Sequence, residues 1–357
     1  MISKKRFLFK RLIDDTLGKA IFKILKFRKK KSFPKKIEKV VVIKLSSIGD
    51  SLLSLPGIKN LKDSTGVKII LIHSKDNENV FKNHDFIDET ILLDVSGNNP
   101  FKLIKSLRKL KDQNADISID LSHTGNLSSL FSAFSGKFLV GFFNEEFPKR
   151  KGFYDVEIPL EKEKHMVTSY FNIMNFSKIG KDKIRLSLVK PFDEKKEKIK
   201  IERLLKSKKN LVGIHPCHEI KEKSWSKENF VKLIDYLIEK GKTPILIGSL
   251  KEKVEVQKLI SLIKNKNKII DLSGKLNIPE VFAIMNYFDF FVSNDGGIMH
   301  IAASFGLPTL GIFSAETPKK YAPYNPKSFA IDSRKISNEE SLKTAKKVID
   351  IFLNKHL

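Results

Sequence analysis

Short apolar runs alternate with amphipathic stretches along most of the chain. The runs KVVVIKL (39–45) and VKIILIH (67–73) are continuous, as is typical of parallel strands that are covered on both faces. Further runs at 89–95 and 115–121 are separated from these by stretches with helical spacing. Strands that alternate with helices indicate a doubly wound α/β sheet. The pattern therefore predicts such a sheet in the first half of the chain.

The second half repeats this alternation after a charged segment at 190–210. Its strand-like runs are LVGIHP, TPILIGS, KIIDLSG, FDFFVSND and LPTLGIF. We therefore expect two doubly wound, Rossmann-like domains, 37–190 and 191–335, that face a central cleft, because ligands on such sheets bind beyond the carboxyl ends of the strands. The remaining residues, 336–357, predict a helix that packs back on the first domain.

Residues 1–36 differ from the rest of the chain. An apolar stripe at helical spacing is formed by Phe9, Ile13, Leu17, Ala20, Ile21 and Ile24. Twelve Lys or Arg residues lie within 1–31, and only Asp14 and Asp15 oppose them. A basic amphipathic helix is typical of segments that bind an anionic membrane surface. The alternative is a helix docked on the first domain.

Composition narrows the class of protein. The 41% hydrophobic content excludes global disorder, and the net charge of +26 favours polyanionic partners such as nucleic acid, anionic lipid or phosphorylated glycan. Cys217 is the only cysteine, which excludes an intrachain disulfide and a thiolate zinc site. No uncharged apolar run reaches the roughly 18 residues needed to span a bilayer. We expect a cytoplasmic protein, and the family resemblance given below implies a peripheral position on the inner face of the inner membrane.

Three loops at predicted strand ends carry candidate chemistry. In SSIGD (46–50), Asp50 is either the N-cap of the next helix or a general base at the end of the strand. A single glycine there is not a dinucleotide fingerprint. In the loop after LVGIHP, Lys223 could reach a phosphate. His215 and His218 have no evident third ligand, so we expect no bound metal.

The third loop is the most informative. A buried strand leads into Asn294, Asp295, Gly296 and Gly297, and a helix of small residues follows. Adjacent glycines let a ligand approach the backbone closely. A helix N-terminus presents N–H groups that bind an anion such as a diphosphate.

These loops resemble glycosyltransferase family 9, the ADP-heptose–lipopolysaccharide heptosyltransferases, over roughly residues 38–330. The resemblance is carried by KLSSIGDSLLSLPGIKNLK (44–62), KSWSKENFVKLIDYLIEKGKTPILIGSLKE (223–252) and IIDLSGKLNIPEVFAIMNYFDFFVSNDGGIMHIAASFGLPTLGIF (269–313). It implies a GT-B fold, an inverting mechanism that needs no metal or other cofactor, an ADP-heptose donor and a lipid-linked glycan acceptor in the lipopolysaccharide core.

The resemblance also implies roles for particular residues. Asp50 matches the proposed catalytic carboxylate, and Lys223 matches a phosphate-binding lysine. His165 and Tyr170 match a His…Tyr pattern with no assigned role. The other matching positions bind the donor, namely Glu252, Asp295, Gly296, Gly297 and His300. The residues expected to line a phosphate or acceptor loop are Ser46, Ser47, Gly49 and His218.

The chain departs from the family at Cys217 and His218 and at two usually basic positions, Asn126 and Leu139. Three alternatives therefore stay open: a relative with another sugar donor or acceptor, a basic nucleic-acid-binding protein, and an inactive glycan-binding module. No recognised nucleic-acid-binding motif occurs, so we expect no nucleic-acid partner.

Overall fold

The computed structural model describes residues 29–93, 100–123, 126–145, 150–176, 195–205, 209–218 and 224–354. The chain forms two compact units, Met1–Ser187 and Leu188–Leu357. The predicted basic segment falls almost wholly at 1–28, outside the described residues. Within the described part, no helix is long and apolar enough to cross a membrane.

Within its described residues, the first unit contains six strands and five α-helices. The strands are β1 (Lys39–Lys44), β2 (Lys68–His73), β3 (Glu89–Leu92), β4 (Ala115–Asp120), β5 (Gly136–Phe143) and β6 (Val156–Pro159). The helices are α1 (Ile48–Thr65), α2 (Glu78–Phe81), α3 (Pro100–Gln113), α4 (Leu127–Ser135) and α5 (Met166–Met174).

All six strands of this sheet are parallel, in the order β3-β2-β1-β4-β5-β6. The centre of the sheet is apolar because β1 and β2 are almost continuously buried, with Val41, Ile43, Ile70 and Ile72 fully enclosed. β1 pairs with both β2 and β4, so the strand order reverses there. In a doubly wound sheet this reversal marks the ligand-binding edge.

The second unit contains six strands and seven helices within its described residues. The strands are β7 (Leu211–His215), β8 (Thr243–Leu246), β9 (Ile270–Asp271), β10 (Phe290–Asn294), β11 (Thr309–Phe313) and β12 (Phe329–Asp332). The helices are α6 (Lys195–Leu205), α7 (Lys227–Glu239), α8 (Lys253–Ser261), α9 (Ile278–Ile284), α10 (Gly297–Ser304), α11 (Pro318–Tyr321) and α12 (Asn338–Asn354).

This sheet is also parallel and has the order β9-β8-β7-β10-β11-β12. Both units therefore follow the same winding, and the predicted pair of doubly wound domains is confirmed. Polar side chains cap the helices of this unit: the Ser226 hydroxyl accepts from Asn229 N at 3.2 Å to cap α7. Asn277 and Glu280 form a capping box at α9.

The final helix, α12, belongs to the second unit. Its apolar face, with Ala345 and Ile349 fully buried, lies in the core that also contains the inner face of α7. The Trp225 indole N–H donates to Ser341 Oγ at 2.9 Å. The apolar stripe of the helix is thus buried within its own unit, and the packing of residues 336–357 on the first domain stays a prediction.

Candidate functional site

The described candidate site residues follow the ends of strands in each unit. In the first unit, Asp50 and its neighbours follow β1, beside the strand-order reversal. In the second unit, His218 follows β7, Glu252 follows β8, and Asp295 and His300 follow β10. Each unit is described separately below.

Asp50 does not cap its helix. The N-cap of α1 is Ser47, whose backbone is extended and whose hydroxyl faces Asp50 N at 3.5 Å. Asp50 is the third residue of the helix, so its carboxylate does not serve as the N-cap acceptor. The N-cap interpretation of Asp50 is therefore wrong. Of the other loop residues, Ser46 is exposed and Gly49 is buried.

The Asp50 carboxylate is held by side chains from two directions. Tyr170 OH donates to Asp50 Oδ1 at 2.9 Å, and Ser47 Oγ donates to Oδ2 at 3.3 Å. Beneath them, the fully buried Lys44 donates from Nζ to Tyr170 OH at 2.8 Å. Burial lowers the pKa of the Lys44 ammonium, while the charges of Asp50 and Asp120 oppose that shift.

The helix that carries Tyr170 begins at His165. The His165 ring accepts from Val167 N through Nδ1, at 3.3 Å, and so caps α5. Residue type alone left the His…Tyr pattern without a role. In the structure, His165 starts the helix and Tyr170 reaches Asp50 from it.

A second buried cluster lies at the end of β4, and the sequence analysis missed it. Arg150 forms an ion pair with Asp120, and its Nε donates to Ser129 Oγ at 2.8 Å. Tyr154 OH donates to Asp120 Oδ2 at 2.7 Å. Burial raises the pKa of Tyr154 well above its usual value, although the Arg150 charge opposes the shift. A buried charge pair of this kind leaves a costly unpaired ion when one partner is removed.

In the second unit, Asn294 joins two segments of the candidate donor site. Its Oδ1 accepts from Trp225 N at 2.8 Å, and its Nδ2 donates to Pro216 O at 2.9 Å. Both Asn294 and Trp225 are buried. Trp225 therefore packs in the core, and Asn294 fixes the loops on either side of Lys223. Lys223 itself lies outside the described residues.

Gly296 and Gly297 open helix α10. Gly296 is the N-cap, with an extended backbone (φ 163°, ψ 176°), and it offers no side chain to the first turn. A Cβ built on Gly296 would meet nothing within 4 Å. The fold therefore does not need a glycine at this position, whereas a ligand that approaches the helix N-terminus would need the space. Asp295 and His300 flank this turn, the former half-buried and the latter buried.

Glu252 lies beside His215 at the end of β7. Its Oε2 accepts from Ser249 N at 2.7 Å, and its Oε1 is 3.4 Å from His215 Nε2. Burial opposes ionisation, but the contacts with His215 and Ser249 outweigh it and hold the pKa of Glu252 at about 2. Burial and the nearby Glu252 charge raise the pKa of the Cys217 thiol to about 12. Cys217 is thus not a reactive thiolate.

The described residues contain no group of three or more His, Cys, Asp or Glu side chains that could hold a metal ion. His218 is half-buried.

Comparison with known proteins identifies the family. Residues 103–349 match the model of glycosyltransferase family 9 (heptosyltransferase). The chain belongs to glycosyltransferase family 9. Over 290 residues it is 22% identical to the lipopolysaccharide core heptosyltransferase OpsX of Haemophilus influenzae, an alignment that covers 80% of this chain and 81% of the relative. The chain is therefore a glycosyltransferase.

Solved structures of the same family share the fold. A family 9 glycosyltransferase from Veillonella parvula superposes with a TM-score of 0.76 at 20% identity, covering 90% of this chain and 100% of that one. The E. coli heptosyltransferase WaaC with ADP superposes with a TM-score of 0.68 at 17% identity, covering 87% and 99%. The predicted GT-B fold of this family 9 chain is confirmed.

Proposed function

We propose that this family 9 enzyme transfers a heptose from ADP-heptose to a lipopolysaccharide core or related glycolipid acceptor, with inversion and without a metal ion. The family match, the lipopolysaccharide core relative and the solved structure with ADP support this choice of substrates. The observation that carries the catalytic assignment is the position of Asp50. It is a carboxylate in the first turn of α1, freed from capping by Ser47 and hydrogen-bonded to Tyr170.

In the proposed reaction, Asp50 acts as the general base. The acceptor hydroxyl loses its proton to the carboxylate as its oxygen forms a bond to the anomeric carbon of the sugar. The bond from that carbon to the diphosphate oxygen breaks on the opposite face, which inverts the configuration. General-base catalysis of this type contributes about 10²–10⁴-fold to the rate.

The second unit would hold the donor. The N–H groups at Gly296 and Gly297 would bind the diphosphate at the start of α10, and Lys223 would add a positive charge. Asp295 and His300 would contact the sugar. Together they would stabilise the charge that develops on the leaving group, in place of a divalent ion.

Glu252 is proposed to contact the ribose of the nucleotide. Its pKa of about 2 keeps it ionised, and an ionised carboxylate accepts hydrogen bonds from hydroxyl groups. In the present structure its oxygens contact Ser249 and His215, so ribose binding would add to or replace one of these contacts.

Residues 1–31 are proposed to hold the enzyme on an anionic membrane surface at the inner face of the inner membrane. Each Lys or Arg near such a surface contributes about 1 kcal/mol. The apolar stripe of the segment adds burial in the interface. This would bring the enzyme close to a lipid-linked acceptor.

The decisive experiment incubates the purified chain with ADP-heptose and defined core lipids and weighs the products. We expect a mass increase of one heptose per acceptor, unchanged by EDTA. Parallel reactions with other nucleotide-sugars test the donor. Strict dependence on Mg²⁺ would contradict the metal-free mechanism. Absence of transfer, together with tight and steeply salt-dependent DNA binding, would instead favour a nucleic-acid-binding protein.

A further inference from the structure

The proposed base, Asp50, is the outermost member of a three-residue hydrogen-bond chain in the first unit. The chain runs from Lys44 Nζ to Tyr170 OH over 2.8 Å, and from Tyr170 OH to Asp50 Oδ1 over 2.9 Å. Its members come from β1, α5 and α1, so only the packed unit assembles it. Lys44 and Tyr170 are almost completely buried.

Hydrogen-bond chemistry fixes the direction of this chain. An ammonium group can only donate, so the Tyr170 oxygen accepts from Lys44. The single Tyr170 proton is then directed to Asp50 Oδ1. The arrangement presents a donor and, behind it, a positive charge to one oxygen of the carboxylate. Both effects favour the ionised form of a carboxylate.

We propose that Lys44 and Tyr170 are a positioning pair that keeps Asp50 ionised and commits its Oδ1, so that Oδ2 is the oxygen that takes the acceptor proton. This inference rests on the proposed role of Asp50 as general base. Ser47, the described donor to Oδ2, has an exposed hydroxyl on the solvent side of the turn. An acceptor hydroxyl could therefore replace it at that oxygen.

The surrounding charges agree with this assignment. Lys44 is influenced by the carboxylates of Asp50 and Asp120, on α1 and β4. Asp120 is already paired with Arg150 and accepts from Tyr154. Tyr170 OH is hydrogen-bonded to both Lys44 and Asp50. The Lys44 ammonium lies 4.9 Å from the centre of the Tyr170 ring. The Lys44 ammonium therefore lies behind the tyrosine hydroxyl that donates to Asp50, and its positive charge favours the ionised carboxylate.

The pair predicts a specific change in pH dependence. In Tyr170→Phe the acidic limb of the kcat/KM profile should move to higher pH by about one unit, the shift that corresponds to loss of one hydrogen bond to a charged group. Lys44→Met should move it in the same direction. The KM for the sugar donor should stay unchanged. Tyr154→Phe is the matched control, because Tyr154 is equally buried in the same unit but bonds Asp120.

Tyr170→Phe removes the hydroxyl that receives the buried Lys44 ammonium and could unfold the unit. The double variant Lys44→Met/Tyr170→Phe removes the charge together with its partner. It leaves no unpaired buried charge, so the pKa of Asp50 can still be measured in a folded unit. A direct readout that needs no turnover is the carboxyl carbon resonance of Asp50, in protein labelled with ¹³C-aspartate and assigned by Asp50→Asn. Its titration midpoint should rise by about one pH unit in the double variant.

The outcomes are distinguishable. If the wild-type chain transfers no sugar, the proposed function fails, while the ¹³C titration still tests the pair. If Asp50→Asn is inactive but neither the acidic limb nor the ¹³C midpoint moves in the variants, the positioning pair is overturned. An equal shift in Tyr154→Phe would overturn it as well, because the effect would then be general to the unit.

Discussion

Trp225 and Asn294 are joined by a 2.8 Å hydrogen bond from the tryptophan main-chain N–H to the asparagine side-chain oxygen Oδ1, within the second unit. With the bond from Asn294 Nδ2 to Pro216 O, it fixes Pro216 and Trp225, which precede and follow Lys223 in the sequence. The asparagine is also the residue before Asp295, so one buried amide sets the geometry on both sides of the proposed donor site.

Asn294→Ala should therefore lower both stability and donor affinity. The change leaves Trp225 N and Pro216 O without their described partner, which costs about 1–3 kcal/mol for each buried group. Thermal unfolding and calorimetric titration with ADP measure the two effects. Asn265→Ala, at an exposed position before a 3₁₀ turn, is the control and should change neither quantity. Unaltered ADP affinity in a destabilised Asn294→Ala protein would show that the amide serves the fold alone.

Asp50→Asn should abolish transfer and leave ADP affinity almost unchanged. The amide keeps the size of the side chain but cannot take a proton from the acceptor. We expect the rate to fall by about 10²–10⁴-fold. Asp63→Asn is the control, since Asp63 is on the same helix and forms an exposed pair with Lys59. A variant within about tenfold of wild type would remove Asp50 from the mechanism.

Gly296→Ala should weaken ADP-heptose binding about tenfold, or about 1.4 kcal/mol, without lowering the melting temperature. The new Cβ enters open space above the first turn of α10, and the extended backbone accepts any residue. Gly213→Ala is the contrasting variant, because its Cβ would lie within 2.6 Å of the Phe288 and Phe291 rings. It should destabilise the second unit by about 1–3 kcal/mol through overpacking. Wild-type affinity in Gly296→Ala would exclude ligand approach at this glycine.

Glu252 should make stability depend on acid pH. Its pKa is about 2 in the folded chain against the usual 4.5, so its contribution is complete above about pH 4.5 and is lost as the pH falls through about 2. Urea unfolding of Glu252→Gln between pH 2 and 5 should show a deficit of about 2–3 kcal/mol at pH 5 that disappears near pH 2. The exposed Glu239→Gln change serves as control. A deficit that is independent of pH would contradict an electrostatic cause.

Deletion of residues 1–31 should release the protein from anionic vesicles and spare turnover on a short soluble acceptor. High salt should weaken vesicle binding only in part, because salt screens the lysines but not the apolar stripe. Co-sedimentation of the truncated protein at the wild-type level would place the membrane contact elsewhere. Unfolding of the truncated protein would favour the docked-helix alternative.

The sequence predicted the fold where burial leaves a continuous apolar run. β1, β2, β7 and β10 are of this kind. It missed β5, an eight-residue and mostly buried strand that pairs with β4 and β6. It also missed β6 and β12, which are four residues long and lie at sheet edges. Such short edge strands have too few buried residues to give a clear hydrophobic pattern. Their pairing depends on the neighbouring strand, β5 for β6 and β11 for β12.

The candidate site shows the same limit. Asp50, Asp295 and Gly296 were predicted because each follows a buried strand within a few residues and lies in a motif that resembles family 9. The contact of Lys44 with Tyr170 joins residues 126 positions apart and depends on the packing of α5 against α1. The spacing of apolar and polar residues within either helix does not reveal that packing. The residue that caps α1 is likewise a matter of backbone geometry, and residue type alone could not choose between Ser47 and Asp50.

The half-buried Cys217 has a practical consequence for measurement. Burial raises the pKa of the Cys217 thiol to about 12, so the thiol stays protonated at pH 7. Since this is the only cysteine in the chain, the natural protein should be almost inert to maleimide reagents. Cysteines introduced at chosen surface positions could then be labelled with fluorophores or spin probes without first replacing Cys217.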